Sequence, residues 1–269
     1  MTGLLSFVFF QHAVIAGLLA SVACGVIGTY VVLRKIATLS GGISHSAFGG
    51  IGLGYWAGID PLIGALVVAV GSALSVEALK RRGVAAEDTV IAVMWAAGMA
   101  AGILFVSLTP GYAPDLLTYL FGNILLVPGM DLWLMAALDA VIVLLAALFY
   151  HQILAVSFDE EFAAITGVRT TAIDTLLLVL TGLSVVMLIR VVGVILVIAL
   201  LTIPAAIAAR YLSRVWQIMA AATIIGILCT MGGIGLSVAT GAPSGASIIL
   251  LATGLFTVHA LWSWRSRAR

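Results

Sequence analysis

The chain has 269 residues, of which 63% are hydrophobic and 9% charged, with a formal net charge of +1 and a mean hydropathy of +1.27. Soluble domains carry about a quarter charged residues, so a water-soluble fold is excluded, and twelve basic residues against eleven acidic ones imply no nucleic-acid partner. A bilayer core about 30 Å thick takes about 20 apolar residues per helix, so the chain reads as all-α: a polytopic transmembrane helical bundle forming one domain over 1–269.

Runs with little or no charge occur at 13–33, 36–59, 61–79, 89–109, 132–150, 171–189, 191–209, 215–236 and 244–264, which predicts about nine spans. Cys24 in the first run and Cys229 in a later one are expected as free thiols, since an apolar helix has no use for a disulfide framework. No Lys or Arg precedes Ser21–Cys24, so that stretch reads as ordinary helix, not as a lipoprotein cleavage site.

The second run holds Gly41, Gly42, Gly49, Gly50, Gly52 and Gly54. Gly50 and Gly54 form a small-xxx-small pair, which suits close helix packing or, alternatively, a flexible helix lining a pathway. His45 follows Lys35 by ten residues, so at 1.5 Å per residue it should lie roughly 15 Å deep. An ionisable group at that depth is a functional candidate; Ser40, Ser44 and Ser46 surround it, Ser40 and Ser44 are candidate pathway residues with it, and Thr38, Ser40 and the glycine carbonyls are further oxygen ligands if the helix is broken. The competing reading is a neutral imidazole hydrogen-bonded between helices.

The run from Leu116 to Val127, between Asp115 and Pro128, is too short to cross and predicts a re-entrant or interfacial helix. Asp139 lies eight residues into the fifth run with no same-helix cation, so it is either a pathway group or a protonated carboxyl bonded to another helix. Ser157-Phe158-Asp159-Glu160 reads as a capping box for a short helix that continues through Glu161 and closes at Gly167. Phe158, Phe162 and Ile165 recur on one face of it, and its three carboxylates disfavour an anionic leaflet, which points to docking in a partner protein's groove. His12 and His259, near span ends, are expected at the interface.

With the N-terminus outside and the C-terminus cytoplasmic, Arg34, Lys35, Lys80, Arg81, Arg82, Arg169, Arg210, Arg214, Arg265, Arg267 and Arg269 all fall inside, and Arg190 alone outside. Asp60, Asp115 and Asp131 are then expected in external turns. The sequence has no GxxxxGK[ST] loop, HExxH, Cys-x-x-Cys or nucleophile elbow, so the chain should neither hydrolyse ATP nor act as an enzyme.

Several stretches, in order, resemble the zinc/manganese permease family of ATP-binding-cassette (ABC) importers. They are Ser40-Gly41-Gly42-Ile43-Ser44-His45-Ser46-Ala47, Glu87 to Ile91, Leu120 to Leu125, Ser157 to Gly167, Val191 to Ala206 and Pro243 to Ala246. The resemblance implies a permease subunit in the cell membrane, acting as a homodimer with a pathway between copies, and coupled to a separate ATPase and an extracytoplasmic metal-binding protein. It implies no cofactor in this chain, a divalent metal as cargo, residues 157–167 as the coupling helix, and His45 as the pathway histidine. The chain departs from the family at Gly41, where an Asp commonly stands four residues before the histidine. An ABC importer for a chelated metal or another small solute is the alternative, and an autonomous ion-coupled transporter a further one.

Overall fold

A computed structural model describes residues 7–83, 86–110 and 116–267, among which every regular element is helical. The helices are α1 (Val8–Leu33), α2 (Ala37–Ala57), α3 (Pro61–Arg81), α4 (Glu87–Leu108), α5 (Leu116–Phe121), α6 (Gly129–Leu148), α7 (Tyr150–Phe158), α8 (Glu160–Ile165), α9 (Thr170–Val192), α10 (Val197–Tyr211), α11 (Val215–Thr240) and α12 (Ser244–Arg267). Asp115 and Arg269 lie outside the described residues.

Among the described residues, seven helices are long and apolar enough to cross a membrane: α1, α3, α4, α6, α9, α11 and α12. They account for seven of the nine expected runs. The other two runs are helical, but α2 is diluted by six glycines and three serines, and α10 has only 15 residues. The run 191–209 is also split, because α9 continues to Val192 and α10 begins at Val197. Gly193 makes the break at φ +80°, where a side chain would run into the Leu120 carbonyl. The freed backbone is stitched to α5: Val194 N–H donates to Tyr119 O at 2.9 Å and Ile195 N–H to Leu120 O at 3.2 Å. Non-helical backbone at membrane depth is tolerated where protein satisfies its polar groups, as here. The segment from Leu116 to Val127 is accordingly no span, but α5, a turn at Gly122 (φ +69°) and a 3₁₀ turn over Ile124–Leu126.

The glycines of α2 act in packing. A Cβ on Gly50 would meet the Gly64 carbonyl of α3, and one on Gly52 the Gly102 carbonyl of α4. On Gly49 it would stand 2.9 Å from the Gly98 carbonyl. Helix backbones therefore touch on both sides of α2, gaining dispersion contacts that larger residues would prevent. As a result Leu39 through Ile51 are all buried.

Ion pairs and aromatic contacts tie the bundle at its two ends. At one end, Arg34 at the C-terminus of α1 pairs with Asp174 near the start of α9, and Glu77 of α3 accepts from Arg81 Nε at 2.6 Å. At the other, Arg190 of α9 lies 3.0 Å from Asp131 of α6 and its guanidinium stands 5.4 Å from the centre of the Tyr119 ring. Tyr119 Oη and Tyr55 Oη, from α5 and α2, are 2.9 Å apart. Asp131, expected in an external turn, is thus buried in the first turn of α6 and neutralised by Arg190. Cys24 and Cys229 are buried free thiols, as expected.

Candidate functional site

His45 is buried in the middle of α2, 6% exposed, and its Nδ1 has no hydrogen-bond partner. Its ring stacks on Trp95 of α4, with centroids 4.0 Å apart and planes at 16°. The close approach of α2 and α4 at Gly49, Gly98, Gly52 and Gly102 is what brings indole and imidazole face to face. One turn earlier, a Cβ on Gly41 would stand 3.3 Å from Trp95 Cζ3 and 3.1 Å from Ile198 Cγ1, with Ile198 Cδ1 nearer still. The position that would hold an i−4 carboxylate is therefore filled by apolar atoms of α4 and α10.

Ser44, next to His45, donates to the Val194 carbonyl at 2.7 Å, binding α2 to the broken turn between α9 and α10. Ser46 donates to Met94 O at 3.1 Å across the α2–α4 contact. Ser40 instead turns back to its own helix, donating to Ala37 O at 2.7 Å. α2 is continuous from Ala37 to Ala57, so its backbone carbonyls beside His45 stay committed to the helix and are no ligands. The break that frees carbonyls is in α9–α10, and Ser44 is the side chain that reaches it.

Asp139 stands apart from His45. It is buried in α6, which packs on α1 and α9, and lies within electrostatic reach of Cys24. Its Oδ1 has no partner. Among the described residues no three His, Cys, Asp or Glu side chains gather as a metal cluster. The arrangement at His45 is therefore a single imidazole with an unpartnered nitrogen, set against the aromatic face of Trp95. Such a site can hand a soft or borderline ion onward but lacks the donors to retain it.

The second candidate is α7–α8. Phe158, Phe162 and Ile165 are 72%, 62% and 84% exposed, on an outlying element anchored through buried Ile153, Val156 and Ala163. The cap differs from the expected box. Ser157 is inside α7 and donates to Ile153 O at 2.6 Å, whereas Asp159 is the N-cap of α8 and accepts from Phe162 N–H at 2.9 Å. Asp suits this role at least as well as Ser, and α7 consumes the hydroxyl that a capping box would need. Glu160 and Glu161 occupy the first turn, and Gly167 ends the element at φ +87°. The fold so presents three large apolar side chains on a pinned, doubly capped turn.

Trp95, which stacks on His45, and Ile198, which lies beside Gly41, were not legible from sequence, because an apolar side chain at helical spacing looks the same whether it faces lipid, core or pathway. The Arg34–Asp174 and Arg190–Asp131 pairs join residues 140 and 59 positions apart, and no local pattern reports such pairings.

The ABC 3 transport family model matches residues 6–263. An uncharacterized membrane protein of Synechocystis sp. is 45% identical over 253 residues, covering 94% of this chain and 90% of that protein. The manganese transport system membrane protein MntC of Halalkalibacterium halodurans is 34% identical over 260 residues, covering 97% and 89%. Among solved structures, PsaBC from Streptococcus pneumoniae in complex with Fab superposes with a TM-score of 0.88 at 30% identity, covering 96% of this chain and 93% of that one. A match along nearly the whole chain in sequence and in three dimensions identifies a multi-pass membrane transport subunit, and this chain belongs to the ABC 3 transport family.

Proposed function

We propose that the chain is the permease subunit of an ABC importer for a divalent transition-metal ion, and that its single domain forms the translocation pathway as a homodimer. The observation that carries the cargo assignment is the similarity over 97% of the chain to a protein named for manganese transport, together with a buried imidazole at mid-helix. Zinc and manganese both accept imidazole nitrogen, so His45 suits either. His45 takes the part of pathway ligand and Ser44 holds it against the broken α9–α10 turn. Ser40 and Asp139 are assigned to the pathway as well, at other levels of the bundle.

In this reading nine helices cross the membrane, with α2 and α10 shielded from lipid by their neighbours. The N-terminus lies outside and the C-terminus in the cytoplasm. The ATPase is a separate subunit that receives Phe158, Phe162 and Ile165 in a surface groove. Asp159, Glu160, Glu161 and Gly167 hold the helix in shape, and α9, which follows directly, carries the movement into the bundle. An extracytoplasmic metal-binding protein delivers the ion, which explains why the permease itself needs no high-affinity cluster. No cofactor is required in this chain.

Radiolabelled manganese and zinc uptake into proteoliposomes with the ATPase and binding protein tests the proposal. His45→Ala should abolish uptake of the transported ion while leaving expression and ATPase association intact. Wild-type uptake rates in His45→Ala would remove the imidazole from the pathway, and uptake without ATP would favour an ion-coupled transporter.

A further inference from the structure

We propose that the C-terminal ends of α10 and α12 bind an anionic glycerophospholipid, with its phosphate on Arg210 and its hydrocarbon in grooves on either side of the Tyr211–His259 contact. Tyr211 Oη and His259 Nδ1 are 2.8 Å apart, joining α10 to α12 near the ends of both helices. On one side of this bridge is a cleft of about 370 Å³ lined by Ala206, Arg210, Phe256, Ala260 and Trp264. On the other is a groove of about 340 Å³ walled by Ile207, Leu228, Leu255 and Val258. The cationic group and the exposed Trp264 lie toward the helix ends, and the apolar walls extend back along the helices. That is the layout of an amphiphile with a negative head, and aromatic side chains at headgroup level commonly frame such positions.

Charge selects among occupants. Beyond Asp174 the sequence contains no Asp or Glu, while it carries Arg190, Arg210, Arg214, Arg265, Arg267 and Arg269. Arg210 forms no ion pair among the described residues. A second copy packed here about a two-fold axis would set this arginine-bearing, carboxylate-free surface against itself, bringing like charges together. A phosphodiester removes that conflict, and a guanidinium fork matches two of its oxygens. A zwitterionic lipid fills the same grooves but brings its own cation, so the site should discriminate by headgroup. The inference requires membrane embedding and is independent of the cargo.

Native mass spectrometry of the purified permease in detergent with equimolar phosphatidylglycerol and phosphatidylcholine tests it. The wild type should retain phosphatidylglycerol about fivefold over phosphatidylcholine, the ratio that one favourable arginine contact near a membrane surface supplies. Arg210→Gln should erase that preference, Arg210→Lys should keep part of it, and Arg82→Gln, at an exposed turn elsewhere, should leave it unchanged. Equal retention of the two lipids by the wild type, or an intact preference in Arg210→Gln, overturns the proposal. So does efficient Phe256→Cys crosslinking between two copies in lipid-containing samples, since the grooves would then belong to a protein interface.

Discussion

Installing a carboxylate at Gly41 is the most direct way to ask whether the pathway lacks only a ligand or also the room for one. Gly41→Asp places a Cβ 3.1 Å from Ile198 Cγ1 and 3.3 Å from Trp95 Cζ3, and closer to Ile198 Cδ1, so a carbon atom alone already overfills the gap. Overpacking of this kind costs about 1–3 kcal/mol, and a carboxylate without a partner adds a desolvation cost. For a domain of 150–250 residues each kcal/mol lowers Tm by about 2–4 °C, so Gly41→Asp should melt about 2–12 °C below wild type in detergent from overpacking alone. Ile198→Ala removes the two colliding atoms but opens a cavity when made alone. Combined, each change fills or relieves the defect of the other, so the pair should be coupled by about 1–3 kcal/mol, at the upper range for touching residues. Thermal unfolding of wild type, both single variants and the double variant, with and without manganese or zinc, measures this. The double variant should recover most of the stability, and it alone should gain stability from added metal, because it alone combines a carboxylate and an imidazole at i and i+4 with room for an ion beside them. A Gly41→Asp protein as stable as wild type, or a double variant no better than the sum of its parts, refutes the packing argument.

Phe162→Asp should cut co-purification with the ATPase about 30-fold, the effect of losing an anchor worth about 2 kcal/mol, while membrane insertion stays normal; pull-down from membranes checks it. Arg34→Ala or Asp174→Ala should each destabilise the permease by about 3–5 kcal/mol, because each leaves a buried charge unpaired, whereas the exchange Arg34→Asp with Asp174→Arg should recover much of that loss in a denaturation series. In intact cells a membrane-impermeant thiol reagent should label Ile59→Cys and spare Arg82→Cys. The reverse pattern would invert the orientation and with it the assignment of α7–α8 to the ATPase.

Much of the fold is legible because burial in lipid leaves a one-dimensional trace: twenty apolar residues in a row need no knowledge of what they touch. That Leu116 to Val127 is too short to cross rests on the same arithmetic, and the structure shows what the segment does instead, accepting hydrogen bonds from Val194 and Ile195 at Tyr119 and Leu120. Where the arithmetic failed, tertiary contacts decided. The run 191–209 is apolar throughout, yet Gly193 opens the chain because the carbonyls of α5 are at hand to replace helical hydrogen bonds, and a hydropathy count cannot register that exchange. Ser157 has the sequence context of a cap, but α7 extends far enough to take its hydroxyl, and the role passes to Asp159 two residues on.

The site is less legible, and the reason lies in the kind of residue that builds it. His45 stands out because an imidazole at depth is costly, so a single residue carries the signal. Its surroundings carry none, since Trp95 and Ile198 are the residues any membrane helix contains. The glycine contacts of α2 with α4 explain why Trp95 closes over the histidine ring, while Ile198 of α10 fills the space beside Gly41 one turn earlier. At Gly41, where the family resemblance leads to the expectation of a carboxylate, Ile198 and Trp95 already occupy the space that its side chain would need. In the proposed reading a metal ion approaches an imidazole nitrogen in the plane of the ring, along the edge of the His45–Trp95 stack, and meets no preformed chelate there. On the proposed function, ion binding at His45 would depend on how α2 packs on α4, and an ATPase docked on α8 would act on that packing through α9, from outside the site.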